Sequence, residues 1–551
     1  MKHNIMNKLA VMTGMTFFLL LTPCTLLLTS CSDYLETPSK SQLSTDNSYS
    51  TPANIDQNLT GIYGTLKPFA EYYFAMSEGR SDNLFNITES SVNEYAYCAQ
   101  FNNTGLLDAN IVKNCWADHY TLIAAANVLL DRIGGAGLTD AQLTQYSAEA
   151  RFLRALSYFD LVRFYGRVPV SLHEIGTNEA FSIRQSEPLE VYQQVIIPDL
   201  EYAVENLQTE AVDYLGKAHN ERATKNAAKA LLGKVYMQMA GYPLYQDTKD
   251  KAQALFAEIL AEYEQYWAAT SDEWNEMWLH ENDNKYFIFE IQYVAASKQG
   301  NTAAYLARPS SRYDDAYCGA NKTSGSHIYV ERDLQDHFLV SNTIVNANDE
   351  STEDYIDKRI SGSILMAAVY DEETGQYIGG ATDGNNSCTK FFENKAKRAT
   401  LGKEDIDATI VDRTYWPQNF PILRVEDIML LYAECVGNTS EGYKYLNLIR
   451  TRAGLTELKE LSESAFQNAV KQERRYELLG EGHRWFDEVR QNTYVNDIRT
   501  MMTNYRDKRD ASHSSTYTVF ANRVSQNSLY YPIPITQIRI SEGLYEQNPG
   551  Y

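Results

Sequence analysis

The feature that most constrains this chain is an apolar period of 3.6 residues that runs through residues 59 to 270 and returns from about 421 to the C-terminus. Leu122, Ala126, Leu129, Leu130 and Ile133 recur at helical spacing before Gly134-Gly135 ends the run. Phe152, Leu156 and Phe159 form a second stripe with Arg151 and Arg154 off it, and Gly166 and Pro169 close that helix. A third stripe, Ala228, Leu232, Val235, Tyr236 and Met239, is interleaved with Ala227, Ala230 and Gly233, small residues that let helices approach closely. Segments 188–207 and 249–266 read as further helices. A one-sided helix buries its stripe only against a neighbour, so successive stripes of this length predict a mainly α solenoid of helix pairs; no literal tetratricopeptide consensus occurs, but pairs of this length suit such a repeat. In the returning part, Ile428, Leu431, Tyr432 and Cys435 form a stripe ended by Gly437-Asn438. YKYLNLIRTRAG (443–454) makes the return helix, and ERRYELLGEGHRWFDEVR (473–490) a third.

Between these helical parts the period changes. Lys285 to Tyr293, KYFIFEIQY, reads as a buried strand. From about 295 to 420 the chain is rich in Gly, Ser, Asn and Asp, with tyrosines at 305, 313, 317, 329, 355, 370 and 377. A stretch of that length is a functional loop region or a subdomain of short strands. The organisation is therefore a helical core (59–270 and 421–551) around a loop-rich insert (285–420).

The first 30 residues form a leader: Lys2 and Lys8 make a basic start, an apolar run follows, and no acid precedes Asp33. It ends in Leu28-Thr29-Ser30-Cys31, a lipobox-like pattern that predicts cleavage before Cys31 and its lipidation, with 31–58 as a polar tether. Loss of the leader removes two lysines and no acid, so the formal charge moves from −23 to −25. Such a chain lacks the clustered positive field that nucleic acid or an anionic lipid surface requires. Setting aside Cys24 in the leader and Cys31 at the lipobox, five cysteines remain, an odd number that cannot all pair; a Cys98–Cys115 bridge is left open, and Cys435 reads as a small buried hydrophobe.

No P-loop, no GxGxxG after a strand, no GxSxG elbow and no CxxC or HExxH pair occurs. The charges of 473–490, with His483 among them, are read as pairing between helices around a stripe of Leu478, Gly482, Trp485 and Val489 rather than as acid–base machinery. Asp383-Gly384-Asn385-Asn386 and the acidic run from Asn348 to Asp357 could hold calcium but lack the EF-hand order of its ligands, so a solvated acidic loop is the default and no metal or cofactor is assigned.

Four segments carry a resemblance: AEARFLRALSYFDLVRFYGRVPV (148–170), RVEDIMLLYAECVG with YLNLIRTRAGL (424–455), ERRYELLGEGHRWFDEVR, and YYPIPITQI with the terminal NPGY. In that order they resemble the SusD/RagB outer-membrane lipoproteins, as does the acidic start Ser32-Asp33-Tyr34-Leu35-Glu36 after the lipobox. The resemblance implies a non-catalytic, lipid-anchored protein at the cell surface, seated as a lid on a SusC-like TonB-dependent β-barrel transporter. It implies oligosaccharide ligands, with oligopeptides the alternative of the RagB-like branch. A periplasm-facing protein-binding scaffold and a hydrolase are rivals that leave the four segments unexplained.

Sugars need flat apolar faces for the ring and planar polar groups for the hydroxyls. Two regions offer both. Residues 77–103 supply Arg80, Asp82, Tyr95, Tyr97, Phe101 and Asn102, with Asp82 also suited to bracing its loop. Residues 307–325 supply Arg312, Tyr313, Asp314 and Tyr317.

Overall fold

The computed structural model describes residues 47–85, 94–279, 285–293, 329–331, 417–504 and 514–551, with short stretches between 333 and 403. Cys31 and the leader lie outside them. The first long helix, α1 (Pro52–Gly64), opens with Pro52 just inside and the Thr51 side chain accepting from Asn54 N. It starts before the expected end of the tether, because Ile55, Leu59 and Ile62 make one buried face. The helices α2 (Asn110–Arg132) and α3 (Asp140–Tyr165) follow, the second opened by a Thr139/Gln142 capping box. The 188–207 segment is continuous but bulges through a π turn at Tyr192–Ile196 before α4 (Ile197–Asn206). Pro198 supplies the reason, since it has no N–H for the carbonyl four residues back and its ring crowds that carbonyl. Two shorter helices, α5 (Lys225–Ala240) and α6 (Lys249–Leu260), complete this half.

Each helix packs on the next: α2 on α3, α3 on α4, α4 on α5 and α5 on α6. The stack then continues across the insert, because α6 packs directly on α7 (Val425–Val436), which packs on α8 (Ser440–Arg452). One repeat-like core therefore spans both ends of the chain, and 261–420 leaves it and re-enters between two neighbouring helices. The re-entry is stitched by the antiparallel pair β1 (Phe289–Ile291) and β2 (Phe420–Leu423), the second bulged between Pro421 and Leu423. The nine-residue strand expected at 285–293 is thus three residues long, with Ile288 N still donating to Leu423 O at 2.9 Å.

The segment 473–490 is two helices rather than one. The helix α9 (Glu463–Glu477) stops, and α10 (Arg484–Arg490) starts after an elbow in which Gly480 and Gly482 have φ of 86° and 82°. A Cβ on Gly482 would lie 2.5 Å from Tyr73 Cβ, so the elbow needs glycine for both conformation and space. The C-terminus is tied back by Asn548, whose Nδ2 donates to Tyr165 O and Tyr531 O at 2.8 and 2.7 Å. Cys98, Cys115, Cys388 and Cys435 are free thiols, so the Cys98–Cys115 bridge does not form. Among the described residues no helix is long and apolar enough to cross a membrane.

Gly233 of α5 meets Phe256 of α6 so closely that a Cβ there would be 2.4 Å from the ring, whereas Gly61 in α1 has nothing within 4 Å. Gly233→Val is expected to lower the unfolding free energy by about 1–3 kcal/mol, while Gly61→Ala leaves it unchanged or raises it by up to about 1 kcal/mol. Urea titration of the two variants checks this, and equal effects would contradict the close α5–α6 approach.

Candidate functional site

The charged residues of 473–490 form the interior of the molecule. Glu477 accepts from Arg424 at 2.8 Å, from Arg452 at 2.6 Å and from Arg359 at 3.1 Å. Glu481 takes the other side of Arg424 and the Lys390 ammonium, both at 2.6 Å. Glu426 bridges Arg424 and Arg452, and Asp357 and Glu473 hold Arg359. All of these side chains are buried. Asp357, from the acidic run, is therefore committed to an internal partner.

A second set joins α10 to the early chain. Glu78 Oε1 accepts from Gly482 N at 3.0 Å and His483 N at 3.2 Å, satisfying amides that the elbow leaves open. Arg484 makes a two-pronged contact with Asp82 at 2.7 and 2.9 Å, and Arg475 donates to Asp82 O and Asn83 Oδ1. Asp82 braces its loop. Asp82, Glu488 and Asp497 bring acid oxygens within 4.8 Å of one another, but Arg484, Arg475 and Lys471 already neutralise that cluster.

Arg80 is internal as well. Its guanidinium lies over the rings of Phe101, Trp485 and Tyr531 at 4.5, 5.2 and 4.3 Å and donates to Ser528 O at 2.9 Å. Phe101 is buried beneath it with φ of 51°. Asn102 caps the short helix Asn103–Leu106 by accepting from Gly105 N at 3.1 Å. Arg80, Asp82 and Phe101 thus build the floor of the early loop, with no face left for a ligand in this conformation.

Tyr95 and Tyr97 stand on top of that floor, half-buried. The Tyr97 ring lies flat enough over Gly105 that a Cβ there would be 2.7 Å from it. The Tyr95 hydroxyl donates to Glu71 Oε1 at 2.7 Å, and the neighbouring Tyr72 hydroxyl donates to Asp118. Burial lifts the Glu71 carboxyl above its ordinary value, the Tyr95 hydroxyl opposes this, and the Glu94 and Asp118 charges add to it. The Tyr95 ring beside the Glu71 carboxylate gives an apolar face and a hydroxyl acceptor in one place, while Tyr97, two residues along the same short helix, faces Gly105. Sequence reasoning missed Glu71 and Asp118, which sit on separate helices and carry no local pattern. Arg312, Tyr313, Asp314 and Tyr317, together with Asp383-Gly384-Asn385-Asn386, lie outside the described residues.

Two family descriptions match this architecture in tandem: "Starch-binding associating with outer membrane" over residues 33–237 and "SusD family" over residues 285–551. The chain belongs to the SusD/RagB family. Its relatives include SusD-like protein P25 of Formosa agariphila, 22% identical over 548 residues that cover 95% of this chain and 97% of that one. A SusD homologue from Bacteroides thetaiotaomicron superposes with a TM-score of 0.76 at 22% identity, covering 92% of this chain and 98% of its own. A laminarin-binding SusD-like protein superposes at 0.68 with 23% identity, covering 91% and 100%. The SusD fold, mainly α and tetratricopeptide-like, thus accounts for nearly the whole described chain.

The buried pairs also set an acid limit. Burial alone would raise the Asp487 carboxyl, but Arg474 and Arg490 outweigh it and hold it down at about 2. A carboxylate depressed from its ordinary value stabilises the fold above pH 4 and loses that contribution as pH falls toward 2. Asp487→Asn is therefore expected to cost about 2 kcal/mol at pH 7, with the gap to wild type narrowing below pH 4. Urea unfolding at pH 7, 4 and 3 reads it, and a pH-independent gap would contradict it.

Proposed function

We propose that this protein is a non-catalytic, surface-exposed lipoprotein, anchored through Cys31, that captures oligosaccharides and hands them to a SusC-like TonB-dependent β-barrel transporter. The observation that carries the reading is the division of labour around the early loop. Charged groups are consumed in buried pairs, while Tyr95 stays half-buried beside Glu71 and Tyr97 stays half-buried over Gly105. Rings of that kind stack on the CH face of a pyranose, and carboxylates accept from its hydroxyls. The laminarin-binding neighbour supports a glycan as ligand, and the family description that associates its members with the outer membrane supports the location. The pairing of the acids in 473–490 with arginine and lysine partners is what supports binding without turnover.

Calorimetry of the ectodomain, starting after Cys31, against laminari-oligosaccharides, starch oligosaccharides and a tryptic peptide pool tests the reading. A saccharide is expected to bind, and Tyr95→Ala or Tyr97→Ala to weaken it roughly ten-fold with the fold retained. Peptide binding with no saccharide response would replace the ligand class by that of the RagB-like branch. In cells, Cys31→Ala is expected to shift the protein from the membrane fraction to the soluble fraction; retention in the membrane would contradict the anchor.

A further inference from the structure

A cavity of about 220 Å³ opens beside α2 at Trp116, Ala117 and Tyr120, between that helix, the strand end at Pro169 and the C-terminal helix Ile535–Ile540. Its walls carry three aromatic rings, Trp116, Tyr120 and Tyr545. Trp116 is locked from behind, edge-on to Tyr165 with ring centroids 5.2 Å apart, and Tyr120 is pinned by its hydroxyl donating to Pro169 O at 2.7 Å. These walls are rigid before anything binds. Polar groups in the lining include Ser171, whose hydroxyl oxygen accepts from Asn127 Nδ2 at 3.3 Å, together with Gln537 and Tyr545. The Gln537 amide and the Tyr545 hydroxyl find no hydrogen-bond partner among the described residues, and both side chains are partly exposed.

The rim is unusual too. Ile175, which lines the mouth, is 38% exposed; Phe181, next to the lining residue Ala180, is 52% exposed; and Ile540, one helical turn from Gln537, is 56% exposed. These are three of the six large hydrophobic residues that the described surface leaves exposed. Scattered apolar residues need no explanation, but a group around one concavity marks a contact surface.

Size selects the occupant. A cavity of about 150 Å³ accepts one benzene, so this one accepts a single six-membered ring and not a chain of them. Aromatic walls with a free amide and a free phenol suit a ring with an apolar face and hydroxyl edges. We infer that the cavity is a second saccharide site, taking one pyranose ring such as a chain end or a side branch, apart from the Tyr95–Tyr97 face. The ligand class rests on the saccharide reading above; the location rests on the cavity alone. A site of this kind would hold the far end of a branched or folded glycan while the tyrosine face holds its middle. It would also raise apparent affinity for polymers over short oligosaccharides through bivalency.

Saturation-transfer NMR on the ectodomain with methyl β-D-glucopyranoside and methyl α-D-mannopyranoside, with p-cresol as a non-sugar ring, tests the proposal alongside the oligosaccharide calorimetry. The expected result is transfer to at least one glycoside, weakened roughly ten-fold by Tyr545→Ala and abolished by Ala180→Trp, which fills the mouth from an exposed position. In a Tyr95→Ala background, which removes the first ring face, the transfer that remains should respond to both substitutions in the same way. If oligosaccharides bind but glycoside transfer is absent, or is lost in Tyr95→Ala and kept in Tyr545→Ala, the second site is overturned and the proposed function stands. If p-cresol alone binds, the cavity receives an apolar side chain and the proposal is overturned. If no saccharide of any length binds, the proposed function fails and this inference fails with it.

Discussion

The structure depends on a knot of buried ion pairs centred on Glu477 and Arg424. Five acids (Asp357, Glu426, Glu473, Glu477 and Glu481) and four cations (Arg359, Lys390, Arg424 and Arg452) share one interior, all of them buried. Desolvating that many charges is expensive, and a fully paired network at best returns what it costs. Its value lies in what each pair joins. Arg359 and Lys390 come from the insert, Arg424 from the first residue before α7, Arg452 from the end of α8, and Glu477 and Glu481 from the end of α9 and its elbow. A hydrophobic interface would let these elements slide; a set of two-pronged guanidinium contacts accepts one register only.

That arrangement explains how an insertion of well over a hundred residues leaves a helical stack and returns to it without opening a gap. At the exit, α6 is already packed on α7, and the short β1–β2 pair stitches the re-entry. Deeper in, the knot clamps two points of the insert to the end of α9. The early loop is fastened by a parallel device, with Glu78 on the α10 amides and Arg80 sandwiched among three rings. A rigid floor under Tyr95 and Tyr97 follows, and a stacking platform gains affinity from being held in place beforehand.

Much of the helical architecture was legible in residue spacing, since α2, α3, α5, α7 and α8 each carry an apolar stripe at helical period, although α3, α5 and α7 are buried nearly all round. The elbow at Gly480–Gly482 was not, because the apolar period of Leu478, Gly482, Trp485 and Val489 runs straight through it and only backbone conformation reveals the break. The nature of the charges was half legible: their pairing between helices followed from composition, but their burial did not, because a run of Glu and Arg has the same periodicity on a wet face as in a dry seam. At the candidate site, the depth of the side chains was not legible. Arg80, Asp82 and Phe101 have the chemistry of a sugar contact, yet their partners Trp485, Tyr531 and Arg484 lie some 400 positions away, beyond what local sequence records. The cavity at Trp116 and Tyr545 was invisible for the same reason.

The central claim is that the charged interior is frame and the aromatic surface is site. Glu477→Gln separates the two most directly, with calorimetric titration of a bound oligosaccharide performed at a temperature where the variant remains folded. Glu477→Gln is expected to lose about 3–5 kcal/mol in unfolding free energy and to keep its dissociation constant within roughly three-fold, less than one kcal/mol. Unchanged stability with binding abolished in a folded protein would contradict that claim, and would move the buried acids from the frame into the site.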